Sequence, residues 1–375
     1  MTSTPAQDII DQIRPTLLPL DHVRSVLAST EPLSTYSFTV GDSIRFLLDA
    51  DWYHGIGAKL GTDPVNAAIT VGRGQGAVTF QLTKDALLEA TSACGISKTY
   101  ASRCPGQLLE PQLNFWFREG LAARPGSRDF QLLVAAGTGV ALTRASIRPF
   151  SNLRLLDEAL DGIVDRFGAG EVLVDFKFTH SLRRTHLRLV IPGHTKLMTG
   201  TDMDDDIWSV GLNIKNSLTG EGRTSIDGYL FRWVCANGAI DAFASSGVWS
   251  RRAGSNEDEV YEWARAAVDG VLGGAESALD VVQGLVAVPI HGVATDVLRD
   301  VFERYHVPLP ERTKITENMI VTGDLTMYNV MAAVTEVAND LNLDPGHTES
   351  LLRLGGDLPH AAQSRCDACL RMMPH

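Results

Sequence analysis

Apolar and polar residues alternate through the middle of the chain. Val174, Phe176 and Phe178 alternate with Asp175, Lys177 and Thr179, the two-residue period of a strand with one buried face. The period returns in Leu187, Leu189 and Ile191 against His186 and Arg188. It returns again in Trp208, Val210, Leu212 and Ile214, and around Tyr229, Phe231, Trp233 and Cys235. Four such segments in succession predict an antiparallel sheet whose faces are solvated or half-buried.

On either side the period changes. Between Asp8 and Leu27 the spacing is helical, but Pro15 and Pro19 cut it into short pieces. The glycines at 55, 57, 61, 72, 74 and 76, with Pro64 among them, favour strands and loops from Thr35 to Phe80. Thr83 precedes the run Ala86, Leu87, Leu88 and Ala90; Gly95 and a second short run follow, ending at Pro105, which reads as helix, turn, helix. A further helix carries Leu113, Phe115, Trp116 and Phe117. Strands surround Gly137 and Gly139, and Leu153 to Phe167 forms an amphipathic helix. After Ser255 the pattern is helical over Asn256 to Gly274 and Glu276 to Val288. Met319 to Leu341 reads as a strand or turn followed by a helix. The expected fold is α+β, a central antiparallel sheet flanked by helices, with a helical C-terminal region. Boundaries fall at 1–80, a strand- and loop-rich start; 81–305, the core; and 306–375, a helical extension and tail. The tail from about Gly355, rich in Gly, Pro and Cys, is expected to be dispensable for folding.

Composition supports a packed protein: of 375 residues 44% are hydrophobic and 21% charged. No apolar run approaches the ~20 residues of a membrane span. Asp8, Asp11, Arg14, Asp21 and Arg24 interrupt every early apolar stretch, so neither an anchor nor a secretory signal is expected. Five scattered cysteines, Cys94, Cys104, Cys235, Cys366 and Cys369, do not form a disulfide framework and fit a reducing, cytoplasmic setting. A net charge of −12 disfavours coating DNA with the whole surface, while leaving room for a local basic groove.

Three segments carry a family resemblance. The first runs from Leu82-Thr83-Lys84-Asp85-Ala86-Leu87 through Cys94-Gly95-Ile96-Ser97 and Tyr100 to Asn114-Phe115-Trp116. The second is Gly139 to Asn152, with Arg148-Pro149 before a helix. The third, the most specific, pairs Asn216-Ser217 and Gly220 with Cys235-Ala236-Asn237-Gly238. Over roughly residues 80 to 290 the chain resembles the phage/plasmid-like family of proteins that share one domain of unknown function. The resemblance implies mobile-element biology, a strand leading into the Arg-Pro turn, and no settled activity. Ile147 and Ser151 stand where an Asp or Tyr is expected near that turn.

Candidate chemistry is sparse. Lys98, Thr99 and Arg103 follow a Gly95 turn and a capping Ser97, as in the recognition helix of a helix-turn-helix; the alternative is a helical hairpin supporting the sheet. Phe176 to Met198 contains no acidic residue but carries Lys177, Arg183, Arg184, Arg188 and Lys196, with His180, His186 and His194. On a hairpin these residues make a positive face about two strands wide, or else a solvated face paired with the acidic run Asp202 to Asp206. That run offers hard oxygen ligands for Mg²⁺ or Ca²⁺ but lacks the glycine and distal Glu of a calcium loop. Cys235 with His291 is a conceivable thiol and base, although Cys235 also continues an apolar strand face. Asn237-Gly238 suits a type I′ turn. Cys366 and Cys369, with His360 or His375, make a weak zinc motif, and Gly72 to Gly76 lacks the spacing of a phosphate loop.

The expectation is therefore a nucleic-acid-binding accessory protein of a phage or plasmid, acting on single strands in recombination or replication. Lys177, Arg183, Arg184, His186, Arg188, Lys196, Lys98 and Arg103 are its contacts, and Tyr229, Phe231 and Trp233 are candidate stacking platforms. No catalytic residue and no cofactor is expected, a homo-oligomer is expected, and membrane is not a partner. The alternatives are a self-assembling structural protein and a cysteine- or metal-dependent enzyme.

Overall fold

The computed structural model describes residues 5–30, 34–41, 43–52, 64–121, 128–147, 149–180, 184–201, 203, 206–219, 223–233, 236–241, 249–251, 256–289, 294–321, 326–338 and 345–363. The chain opens with α1 (Pro5–Ile13), a short strand β1 (Leu18–Pro19) and α2 (Leu20–Thr30). An N-terminal sheet unit follows: β2 (Ser34–Thr39), β3 (Ile44–Leu48), β4 (Pro64–Val71), β5 (Val78–Thr83), α3 (Lys84–Ala93), α4 (Lys98–Ala101), α5 (Gly106–Phe115), β6 (Asp129–Ala135) and β7 (Thr138–Arg144). After α6 (Asn152–Phe167) come β8 (Leu173–Val174), β9 (Thr179–His180), β10 (Thr185–Met198), β11 (Asp206–Asn216), β12 (Thr224–Arg232), β13 (Asn237–Asp241) and β14 (Trp249–Arg251). Six helices complete the described chain: α7 (Glu257–Gly273), α8 (Ala275–Leu285), α9 (Ala294–Arg304), α10 (Leu309–Val321), α11 (Met327–Ala338) and α12 (Pro345–Gln363). The fold is α+β.

Local chemistry sets several of these boundaries. Thr83, Ser97 and Ser151 each accept a backbone N–H three residues on, at 3.2, 3.1 and 3.1 Å, the side-chain caps that start α3, α4 and α6. Between β6 and β7 both Ala136 and Gly137 have positive φ, +47° and +82°, so this two-residue connection has the twist that a type I′ hairpin requires. The first sheet runs β2-β6-β7-β5-β4-β3, antiparallel except for the β5–β7 pair. β4 and β5 pair across position 80, and one sheet spans that point. Its core joins Phe46, Phe117, Phe130, Leu87 and Leu109.

The second sheet runs β1-β8-β10-β11-β12-β13, with β9 on β10 and β14 on β12. Here the expected half-solvated faces give way to burial on both sides. Every residue of β12 is buried, and in β11 only Lys215 is partly exposed. Alternation explains the covering: Asn216 donates to the Phe150 carbonyl at 2.7 Å and to Asn152 Oδ1 at 2.9 Å, at the start of α6, whereas its neighbour Lys215 points to the opposite face and meets Glu349 of α12. Tyr229, Phe231 and Trp233 lie inside this core. They are packing residues, and no surface for stacked bases remains on them.

Two local corrections follow. The alternation from Val174 to Phe178 is not one strand, because Asp175 turns the chain: its Oδ1 accepts the Lys177 N–H at 2.9 Å and its carbonyl accepts the Phe178 N–H at 3.0 Å. In β10 the register with β11 shifts between Val190 and Thr195, around Pro192 and Gly193. Gly211 lies opposite, where a Cβ would stand 2.0 Å from the Leu189 carbonyl oxygen, so the strands approach as closely as they do only because that position carries no side chain.

The C-terminal expectation also changes. α12 continues through Gly355 to Gln363 and buries Leu351, Leu352, Leu354 and Leu358 in the main core. Gly355 lies where a Cβ would come 2.6 Å from Thr335 Cγ2 of α11, so the glycine reflects close helix packing and not a loose tail. Replacing Leu358 by Ala is expected to cost roughly 2–4 kcal/mol in denaturant unfolding; a dispensable tail would show no change.

Candidate functional site

Three of the cations expected on the basic segment from Phe176 to Met198, Arg188, Lys177 and Lys196, are engaged by other parts of the fold. Arg188 is 4% exposed, and its Nη1 lies 3.7 Å from Asp175 Oδ2. Tyr229 donates its hydroxyl to the same Asp175 oxygen at 2.6 Å, and burial, then the Asp175 charge, pushes the Tyr229 phenol well above its ordinary value. Lys177 donates to the Ala338 carbonyl at the end of α11, where a cation complements the helix dipole. Lys196 pairs with Asp280 of α8. Of the expected hairpin cations Arg184 is exposed, while Arg183 lies outside the described residues. Two of these cations, Lys177 and Lys196, meet helices, which a count along the sequence does not distinguish from a ligand surface.

What the hairpin builds is a polar block inside the protein. Arg188, Asn213 and Asp227 are register partners across β10, β11 and β12, and His186, Lys215 and Ser225 form the next row but one on the same face. α12 closes over them. Lys215 donates to Glu349, Arg353 Nε donates to Glu349 at 3.1 Å, and Arg353 Nη2 and Asn213 Nδ2 donate to Asp227 Oδ2 at 2.9 and 3.0 Å. Burial pushes the Glu349 carboxyl up, but the hydrogen bonds and charges of Lys215 and Arg353 outweigh it and hold its pKa at about 2. Burial and the nearby Arg353 lower Lys215. Burial, then Lys215, brings His186 down to about 4, so the imidazole is neutral at pH 7. Glu349 and Arg353 were not anticipated, although their i, i+4 spacing was the available signal.

The acidic run separates in a similar way. Asp202, Asp204 and Asp205 lie outside the described residues, but Asp206 is fully buried at the start of β11. Arg232 clamps it with two bonds, Nε at 2.8 Å and Nη2 at 2.5 Å, and Tyr328 of α11 donates to it while accepting the Trp208 indole N–H at 2.9 Å. This carboxylate is a structural anchor rather than part of an exposed loop.

Lys98 and Arg103 are placed differently: both are exposed. Gly95 takes φ +80° and Ser97 caps α4, as the turn chemistry implied, yet α4 spans only Lys98–Ala101. One turn is too short to lie along a major groove as a recognition helix does. Instead, Ser97, Thr99, Tyr100, Arg103, Cys104, Pro105 and Leu108 line an open hollow of about 480 Å³. Tyr100 is 48% exposed, Leu108 60% and Phe115 50%. Leu108, Gln112 and Phe115 share one face of α5, and Gln112 donates to the Tyr100 hydroxyl at 3.2 Å. This concentration of exposed rings was not foreseen, since Phe115 had been read only as part of a helix.

Asn237 and Gly238 do not close the turn. They are the first residues of β13, paired with Arg232 and Phe231, and Ala236 takes the positive φ, +48°. Cys235, His291, Cys366, Cys369 and His375 lie outside the described residues, and His360 falls within α12. Among the described residues no group of three or more His, Cys, Asp or Glu side chains could hold a metal ion, and no helix is long and apolar enough to cross a membrane.

The shifted groups predict acid sensitivity with a definite sign. His186 falls from an ordinary 6.5 to about 4, so below pH 6.5 the unfolded chain takes up a proton that the folded chain refuses, and stability declines down to about pH 4. Glu349, held at about 2 instead of 4.5, adds a further loss from pH 4.5 downward. Urea unfolding across this range should show His186→Gln losing less stability than wild type between pH 6.5 and 4, by roughly 3 kcal/mol at most. Parallel curves would show that His186 is not held neutral.

A comparison with family models, characterised proteins and solved structures finds no match for this chain.

Proposed function

We propose that the protein binds single-stranded nucleic acid through the surface of α4 and α5. One observation carries this reading: the half-exposed Tyr100 ring stands at an open hollow beside the Arg103 side chain. Sequence-tolerant single-strand binding combines aromatic faces, on which bases stack, with cations that track the backbone. Phe115 extends the aromatic surface, Lys98 adds a second exposed cation, and Ser97 and Thr99 add hydroxyl groups at the rim. The basic hairpin contributes little, because Arg188 is buried and Lys177 and Lys196 are engaged within the fold. The resemblance to the phage/plasmid-like family supports placing this activity in a mobile element, as an accessory to recombination or replication.

A second reading rests on the same face. Leu108 and Phe115 are more exposed than large apolar residues usually are, and they share one face of α5, which favours self-association of two copies. Light scattering of the wild type and of Leu108→Glu separates the readings, since only self-association makes the mass fall.

Fluorescence anisotropy with a labelled single-stranded oligonucleotide tests the proposal. Binding is expected at about 50 mM salt and should weaken as salt rises, with a log-log slope of about −0.7 per phosphate contacted. Replacing Lys98 and Arg103 together by Gln should flatten the slope by about 1.4. Tyr100→Ala should weaken binding by roughly 5- to 100-fold, the worth of one stacked base, while Tyr100→Phe keeps the ring and the affinity. Absence of binding at low salt, or an unchanged slope in the double variant, would overturn the assignment.

A further inference from the structure

The polar block beneath α12 leaves specific buried atoms without hydrogen bonds from the protein. Arg188, Asn213 and Asp227 are 4%, 0% and 2% exposed and stand side by side on one face of β10, β11 and β12. Register partners on one face hold their Cβ atoms roughly 4.5–5.5 Å apart, so the three polar ends share one small space. Both donors to Asp227 from outside its own strand, Asn213 Nδ2 and Arg353 Nη2, choose Oδ2. Ser225, on the same strand, lies nearest that oxygen too, at 3.5 Å. Asp227 Oδ1 and Asn213 Oδ1 are buried acceptors with no hydrogen bond from the protein, and Arg188 Nε and Nη1 are buried donors with none. A buried polar atom left in this state costs about 1–3 kcal/mol; Arg188 Nη1 still faces Asp175 Oδ2 at 3.7 Å, and the other three atoms, in one place, call for a common partner.

The chemistry of that partner follows from charge and valence. Arg188, Lys215 and Arg353 face Asp175, Asp227 and Glu349, three formal cations against three formal anions, and His186 is neutral. A metal ion would sit beside the Arg188 guanidinium, and an anion beside Asp227; each meets a like charge. A neutral group able to accept one hydrogen bond and donate two meets none. We propose that Arg188, Asn213 and Asp227 form an internal water site, in which one ordered water accepts from the Arg188 guanidinium and donates to Asn213 Oδ1 and Asp227 Oδ1. Three bonds is the usual valence of a buried structural water. The water links three strands through their side chains at the level where α12 docks, and it exchanges with solvent only when that helix lifts.

A crystal structure of the full chain at a resolution that defines waters tests this directly. The expected result is a density peak within about 2.7–3.2 Å of all three side chains. A direct Arg188–Asp227 bond, or density consistent with an ion, overturns the proposal. Oxygen-17 magnetic relaxation dispersion gives a second measurement in solution: Asn213→Leu should lose one long-lived water relative to wild type. Ser209→Ala, which removes the acceptor of the Trp233 indole N–H elsewhere in the core, should lose none. An unchanged count in a folded Asn213→Leu protein also overturns it. Should that variant not fold, the wild-type density decides alone.

Discussion

The structure depends on one constraint: β11 and β12 are buried on both faces, and yet they carry ionic side chains. Asp206, Asp227 and Arg232 sit where water is excluded, and a buried charge without a partner would cost several kcal/mol. Each is matched by a residue brought from another element. Arg232 reaches Asp206, Tyr328 arrives from α11, and Arg353 arrives from α12. The apolar contacts supply most of the driving force for packing, but they are tolerant of small rotations and slips. The paired charges are not, so they fix where each helix lies on the sheet.

This explains what was legible in the sequence and what was not. Strand positions in β10, β11 and β12 could be read because alternation with period two survives even when both faces are covered. The caps at Thr83, Ser97 and Ser151 could be read because they act within three residues. The destination of Arg188, Lys177 and Lys196 could not, because their partners Asp175, Ala338 and Asp280 are set by tertiary docking, and a solvent-facing cation has the same local sequence as one that docks a helix. Asp175 ended a strand that alternation alone would have continued. Asn237-Gly238 suggested a turn, but the pairing of β12 with β13 moved the positive φ one position upstream to Ala236.

The candidate interface illustrates the reverse case. Lys98 and Arg103 were read as major-groove contacts from the pattern of turn and cap, and the same turn and cap are present; what fails is length, because Pro105 ends the helical segment early. Shortening α4 exposes Tyr100 and opens the hollow toward α5.

The position of α12 at the end of the described chain has a consequence for synthesis. The ribosome delivers residues 185–232 well before Glu349 and Arg353 emerge, so Lys215 and Asp227 wait with their charges unanswered through more than a hundred residues of elongation. The second sheet can collapse early but settles only when the last helix arrives. A chain interrupted before that point, by a stalled ribosome or a premature stop, keeps an ionic seam open to water.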